Sequence, residues 1–324
     1  MRKQIFSFAI GYLLIAGLSE KTIAATITKP DYMHLAVEPA ALIGRWDITV
    51  DINGKPAPAW LEVKLSGVKT LVGYFVSTAG SARPVSEVKF TDGNFKFEIP
   101  PQWESGTSNL VVEGNVTDSG IQGKLTDCNG KEYNWEGVKA PYLKRTAAPA
   151  WGKPINLFNG KDLSGWKTNG QNQWLVKNGI LISPKAGSNL ITEQKYNDFK
   201  LHVEFKYTKG GNSGVYLRGR YEVQIEDSKK DAHPNSVLFG GIYGFLTANE
   251  MVTLGPDQWQ TYDITLVGRL VTIVANGKTI ISNQEIPGIT GGALDSNEGE
   301  AGPIYLQGDH APIEFRKIVI TPAK

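Results

Sequence analysis

Asn-Gly and Asp-Gly pairs recur between short stretches of alternating apolar and polar residues, and this limits the available folds more than any other feature. Asn53-Gly54, Asp92-Gly93, Asn129-Gly130 and Asn276-Gly277 each separate two such stretches. Both residues of these pairs tolerate the left-handed backbone that a tight hairpin demands. No apolar period of 3.6 residues persists beyond two turns, so the pattern predicts strands. With 36 glycines and 17 prolines to supply further turns, the chain is expected to be all-β.

Two strand-rich segments are expected, separated by a break in the pattern. In the first, 31–138, Gly44-Arg45-Trp46 opens a run of about eight short strands: 44–50, 59–65, 70–77, 85–90, 95–99, 109–116, 120–125 and 132–136. Short turns between consecutive strands predict a smaller antiparallel β-domain, barrel-like or a curved sheet. It could hold an apolar ligand inside a barrel or serve as an accessory module. Pro141, Ala147-Ala148-Pro149-Ala150 and Pro154 then mark 139–153 as an extended linker. The second segment, 154–324, carries runs at 174–183, 199–206, 213–226, 260–267, 270–276, 279–283, 304–307 and 313–321. That number of strands in about 170 residues predicts a two-sheet sandwich.

Charge and cysteine usage remove whole classes of function. Outside the first 25 residues, basic and acidic side chains balance at 31 each, because Arg2, Lys3 and Lys21 face only Glu20 at the start. A chain with no basic run lacks the footprint of a nucleic-acid binder. The single cysteine, Cys128, permits neither an internal disulfide nor a multi-cysteine zinc site. Arg2-Lys3, an apolar run over 5–18 and Thr22-Ile23-Ala24-Ala25 have the form of a secretory signal over 1–25. The run is short for a bilayer span. The expected product is exported, periplasmic or secreted, with no membrane span.

The most informative stretch is 209–227. Strand alternation puts Val215, Leu217, Tyr221, Val223 and Ile225 on one face, and Tyr216, Arg218, Arg220, Glu222, Gln224 and Glu226 on the other. The second set joins donors, acceptors and an aromatic ring, which suits a polyhydroxylated ligand. A second cluster, Gln307-Gly308-Asp309-His310, places an imidazole beside a carboxylate that could orient it for proton transfer. Phosphate loops, the dinucleotide fingerprint, His-Glu-x-x-His and the Gly-x-Ser-x-Gly elbow are all missing from the sequence. Asp295-Ser296-Asn297-Glu298-Gly299 lacks calcium-loop spacing and reads as an acidic turn.

The second segment resembles the 3-keto-disaccharide hydrolase domain family over about 153–323. The resemblance rests on an ordered series of short motifs. They include Leu157-Phe158-Asn159-Gly160-Lys161-Asp162-Leu163-Ser164-Gly165-Trp166, Gly210-Gly211-Asn212-Ser213-Gly214, Tyr221-Glu222-Val223-Gln224-Ile225, Gly240-Gly241-Ile242-Tyr243-Gly244, Gln258-Trp259-Gln260-Thr261-Tyr262 and 302–310. The chain departs from the common pattern at Ala311 and in the 226–239 loop.

The resemblance implies a concanavalin-like jelly roll whose concave sheet holds an oligosaccharide or glycoside. It also implies cleavage of a 3-keto-glycoside by C2 proton abstraction, elimination and hydration, with a hydrolase or a 1,2-eliminating lyase outcome. On that reading Glu222 or His310 is the base and Arg218 stabilises the enolate. Gln224, Tyr243, Gln307, Tyr216 and Asn212 bind the sugar. No particular cofactor is implied, but a divalent metal bound by some of Glu222, Asp309 and His310 could act as Lewis acid. The alternative is a non-catalytic, lectin-like module, because a jelly roll does not by itself specify chemistry.

Overall fold

The computed structural model describes residues 38–231 and 233–324; the expected export signal lies outside them. The first sheet contains β1 (Gly44–Ile52), β2 (Lys55–Ser66), β3 (Thr70–Val76), β4 (Arg83–Val85), β5 (Lys89–Thr91), β6 (Asn94–Ile99), β7 (Leu110–Val116), β8 (Ile121–Thr126) and β9 (Glu132–Lys139). Their order is β4-β3-β2-β1-β9-β8-β7-β6-β5, and β4 comes against β6 so that the sheet curls. Asn53-Gly54 and Asp92-Gly93 form tight turns with φ of 56° and 81°, and 48° and 81°. The stretch expected as one strand over 85–90 is instead interrupted between β4 and β5.

Inside the curl, Ile48, Val50, Phe75, Val112, Leu125 and Trp135 meet and leave no room for a water molecule. A filled interior removes the reading in which this sheet carries an apolar ligand within a barrel.

The second module contains β10 (Ile155–Asn156), β11 (Trp166–Thr168), β12 (Leu175–Lys177), β13 (Ile180–Ser183), β14 (Leu190–Tyr196), β15 (Phe199–Tyr207), β16 (Asn212–Leu217), β17 (Tyr221–Glu226), β18 (Gln260–Val267), β19 (Leu270–Ala275), β20 (Lys278–Glu285), β21 (Gly302–Leu306) and β22 (Ile313–Pro322). One sheet runs β12-β13-β22-β15-β18-β19-β20, with β10 paired to β22; the other runs β11-β14-β21-β16-β17. Between them, Phe199, Leu201, Val203 and Phe205 meet Val215, Leu217, Tyr221, Val223 and Ile225 in one buried core. This is the jelly-roll sandwich of an all-β chain.

Two sequence runs expected as single strands are hairpins. Asn178-Gly179 turns the chain between β12 and β13. Arg218 and Gly219, with φ of 53° and 67°, turn it between β16 and β17. An arginine in the left-handed region is a poor turn signal from sequence alone.

The connection after β9 is extended but strapped down. Leu143 is buried, and a Cβ on Gly268 would lie 1.9 Å from the Leu143 carbonyl oxygen. Arg145 donates twice to Asp198, Nε to Oδ2 at 2.7 Å and Nη2 to Oδ1 at 3.1 Å. Trp151 then bridges to Ala323. The two modules also share packing: Trp60 from β2 and Val76 from β3 belong to the sandwich core. The Trp60 ring meets Phe245 edge-on, with centroids 5.2 Å apart.

Candidate active site

The five-stranded sheet turns one face to the sandwich core and the other to a cleft of about 190 Å³. Tyr216 and Glu222 are register partners in the β16–β17 hairpin, as are Gly214 and Gln224. The hairpin therefore delivers Tyr216, Glu222 and Gln224 to one face even though the chain reverses between them. Asn212, Tyr243, Tyr305, Gln307, Asp309 and His310 complete the polar lining. Gly214 makes room for the acid, because a Cβ there would lie 2.3 Å from Glu222 Oε1.

Glu222 is buried. Burial pushes its carboxyl up to about 8, despite the hydrogen bond from Tyr216 and the nearby His310. Tyr216 Oη lies 2.9 Å from Glu222 Oε2 and 2.9 Å from the Gly291 carbonyl oxygen. One phenol proton can serve only one of these acceptors. A protonated Glu222 that donates to Tyr216, while Tyr216 donates to Gly291, satisfies all three groups. Geometry and burial thus both favour the protonated form of this carboxyl.

His310 stands at the cleft mouth. Its Nδ1 is 2.5 Å from Asp309 Oδ1, and this bond, together with Asp309's charge, outweighs burial and raises the imidazole above its usual range. Burial alone would raise Asp309, but the bonds from His310 and Asn189 hold it below the ordinary carboxylate value. Asn189 Nδ2 donates to Tyr305 Oη at 2.7 Å and to Asp309 Oδ2 at 3.2 Å, while its Oδ1 accepts from the Gly308 amide at 2.8 Å. Tyr305 stacks on Tyr216 with centroids 4.2 Å apart. This frame ties the imidazole side of the cleft to the carboxyl side.

Gln224 Oε1 and Gln307 Oε1 are buried acceptors without a protein partner. An unpaired buried carbonyl costs about 1–3 kcal/mol, and a ligand hydroxyl would remove that cost.

Arg218 does not line the cleft, which corrects the expected grouping. At the hairpin turn its Nη2 donates to Tyr221 Oη at 2.8 Å and to the Gly268 carbonyl at 3.0 Å. Strand parity failed there because residues 218–220 are a turn. Arg220 likewise turns away, its Nε donating to Asp295 Oδ1 at 2.7 Å. Nor do Glu222, Asp309 and His310 form a three-ligand metal set. Among the described residues no three carboxylate, imidazole or thiolate groups are arranged to hold one ion. Glu222 is turned to Tyr216, and Asp309 to His310 and Asn189.

The sequence reading missed Asn189, the structural part of Tyr305, and the glycines at 214, 291 and 292. Of these Gly214 and Tyr305 lay inside motifs already singled out. It also missed Ala79 and Gly80, which reach the cleft from the first module.

The all-β sandwich with this cleft belongs to the 3-keto-alpha-glucoside-1,2-lyase-like domain family, which the chain matches over residues 153–321, more than half its length. Among curated proteins it is similar to a 3-keto-disaccharide hydrolase of Bacteroides thetaiotaomicron, 32% identical over 97 residues, covering 26% of this chain and 32% of the relative. The chain thus matches about a third of that relative's length. A solved structure from Parabacteroides distasonis, provisionally assigned as a glycosyl hydrolase, is 28% identical and covers 56% of this chain and 93% of its own, with a TM-score of 0.45. A carbohydrate-binding module from Bacillus subtilis is 13% identical and covers 48% and 93%, with a TM-score of 0.35. No helix among the described residues is long and apolar enough to cross a membrane.

Proposed function

We propose that the protein is an exported enzyme that cleaves the glycosidic bond of 3-keto-glycosides. The observation that carries this is the meeting of a buried acid, Glu222, and a carboxylate-oriented imidazole, His310, in one cleft with two unpaired amide oxygens. A cleft that only binds sugar is expected to show mainly aromatics and amides, whereas an acid and a base held in different environments suit proton transfer.

A ketone at C3 acidifies the proton on C2. With Nδ1 held by Asp309, His310 offers Nε2 to take that proton. The C2–H electrons form a C2–C3 double bond, and the ketone oxygen becomes an enolate. Tyr216, by turning its phenol proton from the Gly291 carbonyl to the substrate, supplies a hydrogen bond where that charge develops. As the enolate collapses, the C3 ketone re-forms, C1 and C2 become doubly bonded, and the C1–O electrons leave with the aglycone oxygen, which takes the Glu222 proton. Release at this stage is a lyase outcome. Addition of water at C1 and a proton at C2 gives net hydrolysis. Gln224, Gln307, Asn212 and Tyr243 hold the ring hydroxyls.

Incubation with a 3-keto-glycoside and its unoxidised parent tests the reading. The ketone is expected to be cleaved and the parent left intact, with solvent deuterium appearing at C2 of any hydrated product. Equal cleavage of the parent overturns the keto-dependent step. Binding of both without cleavage assigns the cleft to a lectin-like module instead.

A further inference from the structure

The loop between β3 and β4 belongs to the first module, outside the family domain, yet Ala79 and Gly80 line the cleft beside Tyr216 and His310. Its fit against the second module is tight. A Cβ on Gly291 would lie 2.0 Å from the Gly80 carbonyl oxygen, and one on Gly244 would lie 2.6 Å from the Ala82 nitrogen. Gly291 receives the Tyr216 hydrogen bond and Gly244 follows Tyr243, so the loop is seated on two segments that shape the cleft.

Behind Gly80 stands Trp103. A Cβ on Gly80 would come within 2.5 Å of Trp103 Cζ2, so only a residue without a side chain lets the indole sit against the cleft wall. Trp103 is nevertheless 54% exposed. The backbone around it is braced. The buried Arg83 guanidinium lies 5.9 Å from the ring centroid, and Arg83 Nη1 pairs with Glu104 Oε1 at 2.8 Å. Glu104 Oε2 in turn accepts from the Gln102 and Trp103 amides at 3.0 and 3.3 Å. An exposed indole packed against a residue of the cleft wall offers a flat apolar surface next to the cleft.

We propose that Ala79, Gly80 and Trp103 form the aglycone subsite, with Trp103 as a stacking platform for a ring-bearing leaving group, a pyranose or an aryl ring. The first module then sets leaving-group preference while the sandwich performs the chemistry. This rests on the glycoside-cleaving reading for its turnover test, but not for its binding test.

The kcat/KM of a 3-keto-disaccharide and of a 3-keto-aryl-glycoside is compared with that of the 3-keto-methyl-glycoside sharing the same glycone. Trp103→Ala is expected to lower either ring-to-methyl ratio about tenfold, mainly through KM, and Trp103→Phe to restore most of it. Loss with the disaccharide alone or the aryl glycoside alone names which ring the platform serves. Ratios unchanged by Trp103→Ala overturn the proposal. If no keto-glycoside is cleaved, the function reading fails by itself. Calorimetric binding of the unoxidised disaccharide then decides: weakening in Trp103→Ala, recovered in Trp103→Phe, supports the subsite, and equal binding to wild type overturns it.

Discussion

Glu222→Gln and His310→Ala are each expected to lower kcat on a 3-keto-glycoside by roughly 10²–10⁴-fold, the usual span for losing a general acid or base. Glutamine keeps the shape of Glu222 over Gly214 and can still donate to Tyr216, so the loss isolates the ionisable proton. The wild-type pH profile is expected to be a bell. Its acidic limb rises as His310 loses its proton, at a pH above 6.5 because Asp309 raises the imidazole. Its basic limb falls near 8, where Glu222 ionises. Glu222→Gln removes the basic limb from the residual activity, and His310→Ala removes the acidic one. A rise in KM with kcat intact would move the residue from chemistry to uniform binding. Exchange of the two limbs would reverse the roles of acid and base.

Much of this site was legible because strand alternation survives a hairpin when the partners are in register. Tyr216, Glu222 and Gln224 share a face across β16 and β17 for that reason. The same logic misplaced Arg218, since nothing in Leu217-Arg218-Gly219 announces a left-handed arginine. Asp309 and His310 were visible as neighbours, whereas the Asn189 that orients them is 120 residues away in sequence from Asp309 and sits in a stretch with no motif. The linker shows the same limit. Its prolines predict an extended path, but the clasp of Arg145 on Asp198 is a tertiary contact without a local signature. The part played by Ala79, Gly80 and Trp103 was least legible of all, because small residues and a lone tryptophan acquire meaning only from what packs beside them.

Glu298→Ala is expected to lower the stability of the whole protein by about 3–5 kcal/mol in urea unfolding, the usual loss when one partner of a buried ion pair is removed. Glu298 is buried and accepts from Tyr221 Oη at 2.6 Å and from Arg269 Nε at 2.8 Å, with Arg269 Nη2 bonded to its other oxygen. Burial alone would lower the Arg269 guanidinium, but Glu298 more than compensates and raises it. Removing the carboxylate leaves a buried cation and a phenol without an acceptor, beneath the hairpin that carries Glu222. Replacing the pair jointly, as Arg269→Met with Glu298→Leu, is expected to recover much of the loss, because no charge then remains buried. Asp47 of the first sheet feels the same carboxylate. Burial, reinforced by Glu298, pushes it up to about 8 from 3.8. Between those values the folded chain holds a proton that the unfolded chain releases, so this group makes stability fall as pH rises through the window. Asp47→Asn should flatten that slope. An unchanged unfolding midpoint in Glu298→Ala would mean that the cluster relaxes into water and does not fasten the first sheet to the sandwich.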